Sequence, residues 1–528
     1  MRSEITISSE TLLKIGPKDN VAVALVDLYP NHRYKTAGRE ICVSSAIPKA
    51  HKVALVRIEK GENAVKYGAP IGVATETIAP GDHVHSHNLR TGLDGILEYR
   101  YTPDAALREL LTETSGPAGI CNLSGQFGIA DQSHTSGIPD TFDGYLRPDG
   151  RAGTRNEVWI IPTVGCVNRT VRILEERARK LYGNRIDGIF SFPHNSGCSQ
   201  LGEDHLTTQK LLRGLIRHPN AGAVLVVSLG CENNNLENFL PVLGNFNPER
   251  VKFLVTQNCD DEYEEGLKLL DQLTGFASRT GRTPLPLSKL QLGFKCGSSD
   301  AFSGVSANPL CGQIADLVIQ KGGTCILTEV PEMFGAEQEL MNRAVSEEVF
   351  HKIVSLVNGF KSYFKRYNQP IYENPCPGNK KGGITTLEEK SLGCIQKGGC
   401  SPVTDVLSYG DYPLCAGLNL LNGPGNDAVS CTNLTASGCN IILFTTGGGN
   451  PFGAPAPTVK ISSNSALADH KQGWIDFNAG PLLEGSSFEQ ERELLFRQLI
   501  KTASGQIQTK SELYGYRDIS IFKDGILM

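Results

Sequence analysis

The chain has 528 residues, 40% hydrophobic and 20% charged, with a formal net charge of −5. That length exceeds one ordinary hydrophobic core and implies about two to four domains, while the composition excludes a disordered or fibrous chain. No Lys/Arg stripe offers a nucleic-acid footprint, and no apolar run approaches a membrane span, so a cytoplasmic protein acting on small molecules is expected.

Residues 1–103 predict a small β-rich domain. Short β-segments at 20–28, 51–58, 68–77 and 82–88 are separated by Gly, Pro and Asn turns. The last of them, within GDHVHSHNLR (81–90), places His83, His85 and His87 at alternate positions, with Asn88 next. On a strand of period two the three imidazoles share a face, which is a pattern suited to a divalent transition metal. His85 and His87 are the expected ligands, and His51, at the head of its own segment, is the third candidate. Residues 104–143, rich in Ser, Gly, Thr and Pro, predict a linker or arm that can contribute to a homo-oligomer interface.

From residue 144 strands alternate with amphipathic helices, which predicts α/β domains with mostly parallel sheets. Strands at 157–164, 187–192, 222–229 and 251–256 run into TVGCVN, HNSGCSQ, LGCENN and QNCDDE. Ligands of open α/β sheets bind at that carboxyl edge. Cys166, Cys198 and Cys231 are therefore expected on a site rim, where three thiolates could hold an iron–sulfur cluster. The fifteen cysteines occur without any CxxC pair and are expected as reduced thiols, with Cys259, Cys311, Cys325 and Cys376 structural.

A further α/β stretch opens at 292–309 and continues with a strand at 324–330 and a helical run near 336–368. A boundary near 370 separates an expected domain 144–370 from a C-terminal α/β domain 371–528. CGSSDAFSG (296–304), NPCPGNKKGG (374–383) and TTGGGNPFG (445–453) offer N–H groups, hydroxyls and amides suited to a carboxylate or polyol. None matches a phosphate-binding or dinucleotide fingerprint.

The stretches GYLRPDGRAGTRNEVWIIPTVGCVN, GCSQLGEDH, HPNAGAVLVVSLGCENN, GSSDAFSGVSANP, LTEVPEMFGAEQ, QPIYENPCPGNKKGGITTLEEKSLG and PGNDAVS, with HVHSHNLRT before them, resemble the altronate/galactarate dehydratase family of sugar-acid dehydratases. The likeness runs from about residue 15 to the C-terminus. It implies a hydro-lyase that converts D-altronate to 2-keto-3-deoxy-D-gluconate, or dehydrates a related aldarate such as galactarate, using Fe2+ or Mn2+. It also implies a β-clip (SAF-type) fold for the first ~100 residues. Residues 31–45 and the arm depart from the family pattern and are expected to be surface elaborations, and TGGGN (446–450) lacks an expected arginine.

Dehydrating a 2,3-dihydroxy acid needs a base for the C2 proton and an acid for the C3 hydroxyl. Lys380 and His194 are the expected proton-transfer groups, and Arg155, Asn156, Ser298, Asp300 and Asn379 the expected substrate grips. The alternatives are a dehydratase built on the three rim cysteines and a non-catalytic sugar-acid binding protein.

Overall fold

The computed structural model describes residues 11–36, 38–103, 107 and 139–528. The expected arm lies almost wholly outside them; its last residues open a strand, Thr141–Leu146. No helix among the described residues is long and apolar enough to cross a membrane.

The N-terminal domain is built from short antiparallel strands. Val21–Ala24 and Lys52–Ala54 pair at the centre of one sheet, and His83–Val84 adds to its edge. Residues 31–45 are not a surface elaboration. They form the hairpin Arg33–Thr36/Arg39–Cys42, whose Tyr34 and Ile41 alternate inward and join the domain's core.

Two parallel sheets make the body. The first takes β1 (Glu157–Pro162), β2 (Gly188–Ser191), β3 (Ala221–Ser228) and β4 (Val251–Val255) in the order β2-β1-β3-β4. β1 and β3 are buried along their whole length, as a strand covered on both faces must be. Helices α1 (Asn168–Tyr182), α2 (Gly202–Ile216) and α3 (Glu262–Ala277) supply the crossovers.

The second sheet has seven parallel strands: β5 (Gln291–Cys296), β6 (Thr324–Leu327), β7 (Val403–Leu407), β8 (Gly417–Leu421), β9 (Ile441–Thr446), β10 (Thr458–Ser462) and β11 (Phe477–Asn478). Their order is β7-β8-β6-β5-β9-β10-β11. Strands from both sides of residue 370 interleave in it, so that position divides no domain: β6 pairs directly with β8. The chain enters at β5, builds outward through β6, then returns to build the other side from β9. The carboxyl ends around β5 are thus a switch point, where loops diverge and leave a crevice.

Two short helices close that crevice. α4 (Pro377–Lys381) and α5 (Leu387–Cys394) follow each other closely, and α5 is buried at every residue. α5 also seats the N-terminal domain. Lys52 and Lys66 reach Glu389 at 2.8 and 2.9 Å, all three side chains being nearly inaccessible. Lys52 also donates to Gly383 O and Thr385 Oγ1, both at 2.7 Å. Burial alone would raise the Glu389 pKa, but the two ammonium groups overcome it and hold the carboxyl down at about 2.

Candidate functional site

A cavity of about 640 Å³ opens at the carboxyl edge of the seven-stranded sheet. Its wall is assembled from strand ends: Cys296 closes β5, Asp427 lies in the loop after β8, and Gly447 and Gly448 follow β9. Glu332, from the turn after β6, and Lys390, from α5, complete it.

Behind the wall sits a group of four donors. The ligand atoms of Cys296, Glu329, Glu332 and Cys394 all lie within 4.8 Å of one another, and all four residues are buried. The two sulfurs are 3.8 Å apart, and the thiols of Cys296 and Cys394 face Glu332 Oε2 at 3.3 and 3.5 Å. Glu329 reaches this place from a left-handed backbone conformation (φ 72°, ψ 53°), an uncommon state for a side-chain-bearing residue that turns it inward immediately after β6.

Three ammonium groups neutralise the acids. Lys295 pairs with Glu329 and, at 3.0 Å, with Asp427. Lys397 donates to Glu329 Oε2 at 2.8 Å and to Cys394 Sγ at 2.9 Å. Lys390 pairs with Glu332 at 2.9 Å. Burial works against every one of these charges, and mutual attraction reverses it: Glu332 is held down at about 2, while Lys295, Lys390 and Lys397 are raised. The Cys394 thiol is pushed well above its ordinary value by its hydrogen bond with Cys296 and by burial. A metal-free centre therefore holds neutral thiols, with three carboxylates balanced by three ammonium groups.

The sequence was then compared with known proteins. Residues 10–92 match the altronate/galactarate dehydratase SAF domain, 144–278 the D-galactarate dehydratase/altronate hydrolase second domain, and 287–527 the D-galactarate/altronate dehydratase C-terminal domain. The altronate dehydratase of Escherichia coli (strain K12) is 47% identical over 98% of this chain and 99% of its own. The altronate dehydratase of Bacillus subtilis (strain 168) is 46% identical over 98% and 100%. The galactarate dehydratase (L-threo-forming) of Escherichia coli (strain K12) is 31% identical over 98% and 99%. The chain belongs to the altronate/galactarate dehydratase family.

Within this sugar-acid dehydratase, the expected site residues divide. Ser298, Asp300 and Asn379 line the cavity, as anticipated. Asp300 is nonetheless fully bonded, accepting from Ser303, Ser463 and Asn464, and its role is to brace the 296–304 loop. Asn379 donates to Ser299 O at 2.8 Å and accepts from Lys390 at 3.3 Å, tying α4 to the wall. Lys381 lines the cavity; Lys380 instead turns its carbonyl to the N-terminal domain.

Other expectations are overturned. Arg155 is buried in a two-bond ion pair with Glu512, at 2.7 and 3.0 Å, and Asn156 spends its amide on Ala277 O and Arg147, so neither can grip a substrate. His194 is buried, with Nε2 donating to Pro162 O at 2.8 Å and Nδ1 accepting from Ser196 N at 3.1 Å. Burial pushes it down to about 4, leaving a neutral ring with no free nitrogen for proton transfer.

The histidine strand ends at Val84 and a turn follows, braced by Asn88, which accepts from His85 N and donates to His83 O. His51, His83 and His85 do gather: His51 Nδ1 lies 3.0 Å from His83 Nε2, and the rings of His51 and His85 stack at 4.9 Å. Their outer nitrogens meet carbonyls, however. His51 Nε2 donates to Lys381 O at 3.1 Å and His85 Nε2 to Lys380 O at 2.9 Å. Those rings latch the N-terminal domain to α4 and are spent as metal ligands there, while His87 stacks only on His83. Cys166, Cys198 and Cys231 remain at the edge of the four-stranded sheet, outside this cavity.

Thirteen described cysteines carry free thiols, whereas Cys415 is disulfide-bonded, contrary to the expectation of reduced thiols throughout. Missed altogether were Cys296, Glu329, Glu332 and Cys394 with their lysines. The signal was available: KCGSSD, LTEVPE and GPGND follow strands of the second sheet as the rim cysteines follow those of the first.

Proposed function

We propose that the protein removes water from D-altronate, giving 2-keto-3-deoxy-D-gluconate, in the cavity at the edge of the seven-stranded sheet. The observation that carries this is the buried group Cys296, Glu329, Glu332 and Cys394 set against a cavity sized for a sugar acid. The 46–47% identity to proteins named altronate dehydratase, against 31% to a galactarate dehydratase, favours the aldonate over the aldarate.

The donor set fits a divalent transition metal. Two thiols and two carboxylates suit Fe2+, and the sulfurs favour iron over Mn2+, which prefers oxygen. Charge fits as well: the carboxylates and ammonium groups already cancel, so an incoming dication is balanced by loss of the two thiol protons. When bound, such an ion supplies Lewis acidity to the carboxylate and hydroxyl of the substrate.

The chain's own groups do the rest. Asp427 is the one carboxylate of the set open to the cavity, with 28% of its side chain accessible and Lys295 fixing one oxygen. It takes the C2 proton. Lys390, kept cationic by Glu332 and held between Asn374 and Asn379, delivers a proton to the departing C3 hydroxyl. Water and an enol result, and the enol tautomerises to the 2-keto acid. Lys381, Ser298 and Ser299 line the opposite wall and orient the carboxylate and hydroxyls.

The test is an anaerobic assay with Fe2+ on a panel of aldonates and aldarates, scored by 2-keto-acid release. D-altronate should be turned over best. Release from galactarate alone moves the protein to the aldarate branch, and no release from any acid sinks the proposal.

A further inference from the structure

The second sheet holds the catalytic cavity, yet the first has its own chemistry-bearing edge. Three of its strand-end loops carry the same dipeptide, Gly165–Cys166, Gly197–Cys198 and Gly230–Cys231. They follow β1, β2 and β3, with β1 paired to both of the others, so the three turns emerge side by side.

Each glycine is required by close approach. A Cβ would stand 2.9 Å from His194 O at Gly165, 2.0 Å from Thr163 O at Gly197 and 2.8 Å from Gln257 Oε1 at Gly230, and the last two have φ of +99° and +126°. The loops are also tied to each other. Gly165 N donates to Ser196 O at 3.1 Å, Asn234 N to Gly197 O at 3.0 Å, and Asn234 Nδ2 to Thr163 O at 3.0 Å. Beneath them the buried Glu232 accepts from Thr163 Oγ1, Ser228 Oγ and Gly230 N. This is a rigid base under three cysteines.

The thiols themselves are exposed, although cysteine is among the most buried residue types. Six free cysteines are exposed among the described residues, and half of them stand here. Their only polar neighbours are Ser199 Oγ at 3.8 Å for Cys198 and Gln257 Nε2 at 3.4 Å for Cys231. The Cys296 group alone, among the described residues, has three or more donors close enough for one ion. The rim sulfurs are therefore spread more widely than a single ion spans, as suits a cluster whose irons each take one thiolate. α1 begins two residues after Cys166 and turns its positive end toward that anionic charge.

We propose that Cys166, Cys198 and Cys231 hold a [4Fe–4S] cluster, with one iron left without a protein thiolate. This centre is separate from the Cys296 group and does not depend on the dehydratase assignment.

The test is full-length protein purified anaerobically, with iron and acid-labile sulfide counted per chain and spectra taken before and after dithionite reduction. About four sulfides per chain, broad visible absorbance and a paramagnetic reduced state are expected. Cys166→Ser, Cys198→Ser and Cys231→Ser should each lose sulfide and colour while keeping the wild-type melting transition. Cys400→Ser, at an exposed cysteine elsewhere, and Cys296→Ser should keep both. Should the serine variants misfold, ferricyanide bleaching of the wild-type protein, with sulfide release, reads the same centre. Iron without sulfide, or sulfide unchanged in all three rim variants, overturns the proposal. A colourless wild-type protein free of sulfide does so too, even if it dehydrates D-altronate.

Discussion

Cys296 and Cys394 bring their sulfurs to 3.8 Å from the end of a strand and the end of a helix that are 98 residues apart in the chain. Nothing in either segment alone indicates the pairing, and both belong to the proposed metal centre. Replacing either with serine should cut turnover by ~10²-fold or more, with a comparable loss of Fe2+ affinity. Metal titration followed by keto-acid assay checks it. Wild-type iron affinity in both variants would remove these sulfurs from the centre.

Asp427 and Lys390 divide the proton work. Asp427→Asn should lower kcat by ~10²–10⁴-fold with a small change in KM, because a general base acts in the transition state. Exchange of the C2 proton with solvent deuterium should vanish with it. Lys390→Met should block elimination while leaving that exchange measurable. If both variants keep exchange and lose only elimination, the base is another group.

The carboxylate of Glu389 holds two buried ammonium groups that belong to another domain. Glu389→Gln leaves both uncompensated, and the expected cost is about 3–5 kcal/mol. Burial already pushes Lys52 down to about 8, so its proton is the one released first when the partner charge is removed. Chemical denaturation measures the loss; a change below ~1 kcal/mol would mean that the N-terminal domain is held elsewhere.

The histidine latch confers a pH dependence. Burial, aided by neighbouring imidazoles and Lys52, pushes His83 down to about 3 and His85 to about 4. Unfolded histidine titrates near ~6.5, so the unfolded chain binds more protons in between. The latch is intact above ~6.5 and weakens as pH falls toward about 4. Tm recorded across this window should drop more steeply for wild type than for His85→Gln, and equal slopes would exclude the latch.

Arg155 separates support from catalysis. Arg155→Ala should lower stability by about 3–5 kcal/mol, since it strands Glu512, and leave the KM for D-altronate unchanged in the folded fraction. A selective rise in KM would restore the arginine to the substrate site.

How far the sequence reached depends on the range of each signal. Alternating strands and helices from residue 144 were legible because they are local, and β1 to β4 fall within a residue or two of where hydrophobic runs place them. Membership of one sheet is not local: β6 finds β8 across some ninety residues, and a Pro-containing loop near 370 imitates a boundary. The histidine face was visible, but not the carbonyls of Lys380 and Lys381 that occupy it. Arg155 and His194 resembled site residues because burial is invisible to residue type. Cys296 was overlooked although it ends a strand, as Cys166 nearly does.

The eight residues of α5 look both ways. Glu388 and Glu389 face the N-terminal domain, where Glu388 accepts from Thr91 and Gly92, while Lys390 and Cys394 face the cavity. With two turns and no freedom to bend, the helix behaves as a rocker: a tilt at one end must appear at the other. Seating of the small domain thereby sets the aim of the lysine that discharges the hydroxyl, and a loosened clamp should reach the chemistry before it reaches the fold.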